Sequence, residues 1–450
     1  HTLALGPAER FAGLQPDIVL PSLSGVSWPQ IMDRLAASRM DADTWTIREG
    51  RFDPATLNQR ESVYTVGNGY LTTRGSGEER YPGDQPATLI NGLFDEVPIL
   101  RHELVNAPDW LSLQLMIDGE RLSLALDMRD GRLIRQFRWR SPGGRTIEVR
   151  SERWASLAEP HLCALRYSVT ALDFSGMVEL RAEIDGLVEN PGTLVPSEVG
   201  LTHWRVTGQG NPAPQVAYLA LQTRLTKVEL AAAMHLAVEG VDGVEYQPRD
   251  AARTPGVAAH CRLAQGETAV ATKLVALYTS AEEPAPMAAA LERVQSAAAE
   301  GYASLQHAHR SRWTDLWQDC DVQIEGDDEA QRAVRFNLYQ LLIAAPYHSD
   351  RLSIPAKTLS GFGYRGHVFW DTDIFIVPFF AFTRPELARN LLLYRYHTLA
   401  GARENARRAG YEGAMFPWES TDDGREATPP WIPLPSGELV RVWCGEIEQH

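Results

Sequence analysis

Cysteine is scarce in this sequence. Only four cysteines occur in 450 residues, without a CxxC pair or a regular spacing. A disulfide framework and a paired-cysteine metal motif are therefore not expected, and we predict buried thiols in a reducing compartment, which means a cytoplasmic protein. The four cysteines are Cys163, Cys261, Cys320 and Cys444.

Long hydrophobic runs are also missing. The longest apolar stretch, Ile374–Phe382, is interrupted by Pro378 and is far too short to cross a bilayer. No basic region precedes an apolar segment near the N-terminus, and the chain opens with His1 rather than Met. We therefore expect neither a membrane anchor nor a native start at residue 1.

Positive charge is in deficit. Lys and Arg number 43 against 58 Asp and Glu, a net charge of −15, and no run of basic residues occurs. Nucleic acids and anionic membranes need a positive footprint, so we expect neither as a partner and favour a small neutral substrate. Hydrophobic residues at 44% and charged residues at 22% exclude a disordered or collagen-like chain, and the length suggests about three domains.

Roughly the first 285 residues alternate apolar and polar side chains between turn residues. This period of two predicts β-strands, and many long strands predict a large sandwich. The clearest runs are Thr146–Val149, His161–Val169, Val178–Ile184, Val216–Thr223, Val228–Val238 and Thr268–Tyr278.

Around Pro284 the apolar spacing changes to three and four residues, which predicts a helical linker. Trp313 and Trp317 are four residues apart on it and are predicted to be core residues. His307 and His309 lie two apart, about 200° around a helix, so we do not expect them to share a metal.

Two further helices are predicted downstream. The first covers Gln331–Ala345, and the second begins at a capping box formed by Thr383 and Glu386 and runs towards Gly410. Apolar residues cover most of the second helix, which predicts burial on nearly all sides inside a multi-helix assembly. The residues concerned are Leu387, Leu391, Leu392, Tyr394, Tyr396 and Leu399.

Three loop segments combine glycine, aromatic and carboxylate residues. In Glu61–Leu71, Gly67 and Gly69 could suggest a phosphate cradle, but no Lys-Ser/Thr follows, and tight packing is favoured. Gly361–Asp373 and Gly413–Ser420 each place Trp beside a carboxylate. An indole packs on the apolar face of a sugar while a carboxylate accepts hydrogen bonds from its hydroxyls, so both segments are sugar-site candidates, with ordinary core packing as the alternative.

Five long stretches of the sequence carry a resemblance to a known family: GNGYL, LVNAPDW, AKTLSGFGYRGHVFWDTDIF, LLLYRYHTLAGARENARRAGYEGAMFPWES and CGEIEQH. They resemble glycoside hydrolase family 65, a family of inverting disaccharide phosphorylases with some hydrolases among its relatives. The resemblance runs from about Trp45 to the last residue and implies an α+β multidomain fold. It implies a β super-sandwich over 1–285, a helical linker over 286–325 and the first, incomplete part of an (α/α)6 barrel over 326–450.

The resemblance also implies a substrate site. Trp370 and Asp371 match the pair that holds the non-reducing glucosyl unit, Phe369 adjoins them, and Trp418 and Glu419 match a loop near the same pocket. The catalytic residue stays unknown, because the family's general acid Glu has no counterpart in the sequence. Glu446 and Glu448 are expected to be scaffold residues of a barrel helix.

The sequence departs from the family pattern in two places. Asp373 stands where the family usually has Glu, and its shorter side chain would alter the depth of the pocket; the family also usually has Gly near Thr72 or Thr73.

The function implied is that of an inverting phosphorylase, in which phosphate attacks the anomeric carbon of an α-glucosidic disaccharide and gives β-glucose 1-phosphate. Inorganic phosphate would be a co-substrate, with no other cofactor and no metal. We expect a homodimer, or a second chain that supplies the rest of the barrel. An α-glucoside hydrolase using a second carboxylate as base, and a non-catalytic carbohydrate-binding or scaffold protein, stay open as alternatives.

Overall fold

A computed structural model of the protein describes most of residues 43–428 and a few short segments outside them. Cys444, Glu446 and Glu448 lie outside the described residues. The described residues are 3–5, 18–20, 43–49, 54–79, 83–97, 101–115, 123–141, 143–190, 203–428, 431–433 and 438–441.

Strands dominate up to residue 279 and helices follow, which confirms the predicted α+β class. Each of the six predicted alternating runs coincides with a strand to within two residues at its start. The strands are β1 (Leu3–Leu5), β2 (Ile18–Leu20), β3 (Thr46–Glu49), β4 (Val66–Gly67), β5 (Leu71–Thr73), β6 (Thr88–Val97), β7 (Arg101–Ala107), β8 (Leu113–Leu115), β9 (Ser123–Asp127), β10 (Arg132–Arg140), β11 (Thr146–Ala155), β12 (Leu162–Ala171), β13 (Gly176–Glu183), β14 (Trp204–Ala213), β15 (Val216–Thr223), β16 (Glu229–Glu239), β17 (Glu245–Ala251), β18 (Thr254–Leu263), β19 (Thr268–Thr279), β20 (Ala356–Leu359), β21 (Trp431–Pro433) and β22 (Leu439–Arg441).

A nine-stranded antiparallel sheet forms the main layer, in the order β14-β15-β16-β19-β12-β11-β10-β9-β3. A four-stranded sheet, β17-β18-β13-β8, shares one hydrophobic core with it. Inward-facing side chains such as Val149, Leu165 and Val275 from the first sheet and Leu180 and Val257 from the second are fully or almost fully buried. The period of two in the sequence is thus the alternation between this core and the outer faces.

A second four-stranded sheet, β4-β5-β6-β7, contacts β11 of the sandwich on one hand and α4, a later helix (Asp328–Ala344), on the other. The glycine pair at its start is a packing device, as predicted, because a Cβ on Gly69 would lie 1.8 Å from the carbonyl oxygen of Ala345. Gly69 also has a φ of +85°, and its N–H donates to the carbonyl of Ile343 at 2.8 Å.

The helices form two groups. The linker helices are α2 (Pro286–Glu300), which packs on β16 and β19, and α3 (Tyr302–Cys320); a short helix α1 (Leu57–Val63) precedes β4. The later helices are α4 (Asp328–Ala344), α5 (Val377–Thr383), α6 (Pro385–His397) and α7 (Leu399–Arg408), with one π-helical turn at Thr372–Ile376.

The linker tryptophans are core residues, which confirms the prediction. Trp313 is fully buried and Trp317 almost so, with ring centroids 5.9 Å apart, and Trp313 stacks on Tyr339 of α4 at 5.4 Å. The three thiols in the described residues, Cys163, Cys261 and Cys320, are free and buried, also as predicted.

The predicted capping box is wrong. Thr383 ends α5, and its hydroxyl donates to the carbonyl of Phe379 within that helix at 2.9 Å, so Arg384 occupies the N-cap position of α6. The predicted single helix to Gly410 is also wrong, because it breaks at Thr398 into α6 and α7. The break accompanies close packing at Gly401, where a Cβ would lie 2.2 Å from the carbonyl oxygen of Asp423.

The predicted burial of this helical region on nearly all sides is wrong for two of its residues. Leu392 and Tyr396 of α6 are 52% and 69% exposed, whereas Leu391, about 100° around the helix from Leu392, is fully buried. Among the described residues, α6 packs through the side that carries Leu387, Leu391 and Tyr394, and no described residue covers the side that carries Leu392 and Tyr396.

Candidate functional site

The segment that leads to the predicted sugar residues makes an unusual turn. Tyr364 and Arg365 both have positive φ, 52° and 54°, a conformation that non-glycine residues rarely adopt and that clusters at functional sites. Gly366 follows with a φ of +74° and lies against Leu104 of β7, where a Cβ would come within 2.6 Å of the leucine Cβ. The sheet β4–β7 thus fixes where the chain enters the site.

Hydrogen bonds tie the same segment to the sandwich side. Arg74 donates from Nη1 to the carbonyl of Ser360 at 2.8 Å, and Thr72 donates its hydroxyl to the carbonyl of Leu359. Thr72 therefore supplies a contact between β5 and β20.

The two predicted sugar-binding segments meet. Val368 and Ser420 exchange backbone hydrogen bonds at 2.9 Å in both directions. The ring of Trp418 stands edge-on to Trp370 at 5.8 Å and to Phe369 at 5.5 Å. Three of the five predicted site residues therefore form one aromatic cluster, with Trp370 and Trp418 only partly buried.

Glu419 lies behind this cluster and is 8% exposed. Its Oε2 is 2.6 Å from Nδ1 of His367, which is fully buried. Glu426 stabilises the loop that carries Glu419. Its carboxylate accepts hydrogen bonds from the backbone N–H groups of Trp418 at 2.9 Å and Glu419 at 3.2 Å. This arrangement presents an acidic side chain in a fixed orientation.

Asp371 and Asp373 differ in their surroundings. Asp371 is exposed at the start of the helical segment, and no residue in the described part of the chain hydrogen-bonds its carboxylate. Asp373 accepts from Nε and Nη2 of Arg395 at 3.0 and 2.7 Å. Arg395 also donates to the carbonyl of Phe369 at 3.1 Å, so this pair braces the segment from α6.

A cavity of about 600 Å³ opens beside Trp370. Arg395 and Asp373 lie on its wall, together with aromatic and small residues of the loop after α7, whereas Asp371, Trp418 and Glu419 do not line it. The other lining residues are Ile374, Ala406, Tyr411, Glu412, Ala414, Met415 and Phe416.

The edge of the site carries a titratable pair. His102 of β7 lies 3.5 Å from Asp422, and this hydrogen bond raises the pKa of His102 although burial opposes the charge. Burial acts against ionisation of Asp422, but the bond from His102 prevails and lowers the pKa of that carboxyl. Opposite charges thus join the β6–β7 hairpin to the loop after Glu419.

Sequence reasoning assigned no supporting role to His367, Arg395 and Glu426, which hold the predicted residues in place. His367 and Arg395 lie inside the stretches that resemble the family and Glu426 follows shortly after one of them, but their contacts span up to 265 positions in the chain. Among the described residues no group of three His, Cys, Asp or Glu side chains could hold a metal ion, and no helix is long and apolar enough to cross a membrane.

The geometry brings aromatic and carboxylate side chains together on a helical unit that follows a β-sandwich. Residues 47–316 match the glycosyl hydrolase family 65 N-terminal domain, and residues 335–447 match the glycosyl hydrolase family 65 central catalytic domain. The chain therefore belongs to glycosyl hydrolase family 65.

Relatives and a solved structure agree with this assignment. The chain is 35% identical to the kojibiose phosphorylase of Halothermothrix orenii over 90% of its own length and 54% of that protein. It is 31% identical to the α,α-trehalose phosphorylase of Thermoanaerobacter brockii over 84% of its length and 53% of that protein. A solved structure assigned as a kojibiose phosphorylase from the human microbiome shares the fold, with a TM-score of 0.78 at 21% identity over 86% of this chain and 53% of that one. The chain thus spans about half the length of the curated relatives it matches.

Proposed function

We propose that this chain forms part of an inverting phosphorylase that acts on an α-glucosidic disaccharide. Its relatives include a kojibiose phosphorylase and an α,α-trehalose phosphorylase. Both names imply that inorganic phosphate takes up the glucosyl unit. The observation that carries the proposal is the convergence of Trp370 and Trp418 beside the fixed carboxylate of Glu419.

In this proposal the described residues bind and orient the glucosyl unit. The indole faces of Trp370 and Trp418 pack on the apolar side of the ring, while Asp371 and Glu419 accept hydrogen bonds from its hydroxyls. Orientation of this kind contributes to the rate because the anomeric carbon must lie in line with the attacking phosphate oxygen.

The chemical step is a single displacement with inversion. A protonated carboxyl donates its proton to the glycosidic oxygen while phosphate attacks the anomeric carbon from the opposite face. The carbon–oxygen bond to the acceptor sugar breaks as the bond to phosphate forms, which gives β-glucose 1-phosphate and the free acceptor. We assign no general acid among the described residues.

The finer architecture belongs to the same proposal. A super-sandwich over 1–285, a linker over 286–325 and the opening part of an (α/α)6 barrel over 326–450 fit the order of strands and helices. A cytoplasmic homodimer without a cofactor other than phosphate completes the proposal, with a second chain as the other possible source of barrel helices.

The test is phosphate dependence in the intact protein. Kojibiose, trehalose, nigerose and maltose are each supplied with and without inorganic phosphate, and glucose 1-phosphate and free glucose are measured separately. We expect glucose 1-phosphate from one of these sugars and no turnover without phosphate. Glucose release that is independent of phosphate would replace the proposal with a hydrolase, and binding without turnover would favour a carbohydrate-binding role.

A further inference from the structure

His367 joins the two halves of the site. Its ring is fully buried, with Nε2 2.8 Å from the carbonyl oxygen of His102 on β7 and Nδ1 2.6 Å from Oε2 of Glu419. Phe94 of β6 lies against the ring, with centroids 6.4 Å apart. The β6–β7 hairpin therefore contacts Glu419 through the side chain of His367, in addition to the contact of His102 with Asp422.

The partners determine which nitrogen carries hydrogen. A carbonyl oxygen only accepts, so Nε2 of His367 must be the donor to His102. A single further proton then lies between Nδ1 and Glu419, either on the ring as an ion pair or on the carboxyl as a neutral pair. In both states Oε2 of Glu419 is engaged by His367, and no described residue hydrogen-bonds Oε1.

We propose that His367 is a positioning residue, which orients the Glu419 carboxylate towards the substrate and anchors it to the β6–β7 hairpin. The inference rests on the proposed role of Glu419 in sugar binding. It assigns the N-terminal domain, to which β7 belongs, a part in substrate recognition, because the position of Glu419 depends on the backbone of β7. The contact with His367 already restricts the Glu419 side chain in the free protein. Less conformational entropy is therefore lost when Glu419 binds the sugar.

Two substitutions separate the two hydrogen bonds of His367. The amide nitrogen of glutamine occupies nearly the place of Nε2, so His367→Gln keeps the bond to His102 and loses the bond to Glu419. The amide nitrogen of asparagine occupies nearly the place of Nδ1, so His367→Asn keeps the bond to Glu419 and loses the anchor on β7. KM for the glucoside, kcat and the midpoint of thermal unfolding are measured for each variant of the intact protein.

For a positioning role we expect His367→Gln to raise KM by about 10- to 100-fold, and His367→Asn, which keeps the bond to Glu419 but loses the anchor on β7, to raise KM by a smaller factor. A purely structural role gives the reverse order or equal KM values, with changes in the unfolding midpoint alone. The matched control is His309→Gln, which removes another buried histidine with two backbone contacts, at Leu157 and Asp130, outside the site. It should lower the unfolding midpoint without changing KM.

Glu419→Gln distinguishes failure of this inference from failure of the proposed function. If Glu419→Gln leaves KM unchanged, the binding role of Glu419 is wrong. If Glu419→Gln raises KM while His367→Gln does not, only the positioning role is wrong. In the double variant the effect of His367→Gln should disappear, because His367 acts through Glu419; full additivity would overturn the inference.

Discussion

Trp370 and Trp418 meet edge to face with 5.8 Å between their ring centroids, and the indole N–H of Trp370 donates to the carbonyl of Pro417 at 2.9 Å. The indole of Trp370, which lines the cavity, is therefore held in place by the loop that carries Trp418. A substitution in either loop should consequently change the structure of both.

Trp418→Ala should weaken binding of the glucoside. It removes edge contacts to Trp370 and Phe369, each worth about 0.5–1.5 kcal/mol, and any stacking of Trp418 on the sugar. We expect a loss of affinity of at least about tenfold by isothermal titration calorimetry. The matched control is Trp45→Ala, which removes an edge contact of the same kind to Trp317 away from the site. Equal affinity in Trp418→Ala and the unchanged protein would contradict the role of this cluster.

Asp371→Asn should reduce kcat/KM by about 100-fold and leave the unfolding midpoint unchanged. The neutral amide accepts sugar hydroxyls less well than a carboxylate, and the loss of substrate orientation lowers the rate. Stability is expected to hold because no residue in the part of the chain described by the structure hydrogen-bonds this carboxylate. Asp373→Asn is the comparison for stability. It breaks the ion pair with Arg395 and should lower the unfolding midpoint, unlike Asp371→Asn. Retained activity with unchanged KM in Asp371→Asn would contradict its assignment.

Loss of the proton from His203 should make the protein less stable in mild alkali. Burial disfavours its charge, but hydrogen bonds to Asp95 at 3.1 Å and Glu103 at 2.6 Å prevail and raise the pKa of His203 to about 9. Its stabilising contribution is complete below pH 6.5 and is lost as the pH rises through about 9. The unfolding midpoint should fall over this range, and the fall should be smaller in His203→Gln. Parallel pH profiles for the two proteins would contradict this account.

Protonation of His309 should make the protein less stable in acid. Burial lowers the pKa of His309 to about 4, and its Nδ1 accepts from the N–H of Leu157 while Nε2 donates to the carbonyl of Asp130. The folded protein therefore holds neutral imidazole, and its advantage is present above pH 6.5 and declines as the pH falls towards 4. Each unit of pKa difference is worth about 1.4 kcal/mol. The midpoint should fall less steeply with acid in His309→Gln, and an unchanged slope would contradict the assignment.

Periodicity predicted most of the strands and the linker helices because each pattern reports one buried face. Val149 and Leu165 alternate into the sandwich core, and Trp313 and Trp317 share one face of α3. The exposure of Leu392 and Tyr396 was not predictable, since the sequence of a helix does not say which of its apolar sides finds a neighbour. The break at Thr398 depends likewise on Asp423 and Gly424, which pack against it from a later loop.

The sequence singled out the residues that are proposed to contact the ligand, but not the residues that support them. Trp370, Asp371, Trp418 and Glu419 stand out because tryptophan beside a carboxylate is typical of sugar sites. His367 gives no such signal, because its partners Glu419 and His102 are 52 and 265 positions away. Contacts of this length are created by the fold, and no local pattern records them.

The configuration of the sugar phosphate tests the central claim most directly. The intact protein is incubated with an α-linked glucose disaccharide and inorganic phosphate, and the first product is followed by proton and phosphorus NMR before it can equilibrate. Inverting phosphorolysis predicts β-glucose 1-phosphate, formed in equal amount to the released acceptor sugar. α-Glucose 1-phosphate, or free glucose without phosphate consumption, would contradict the account.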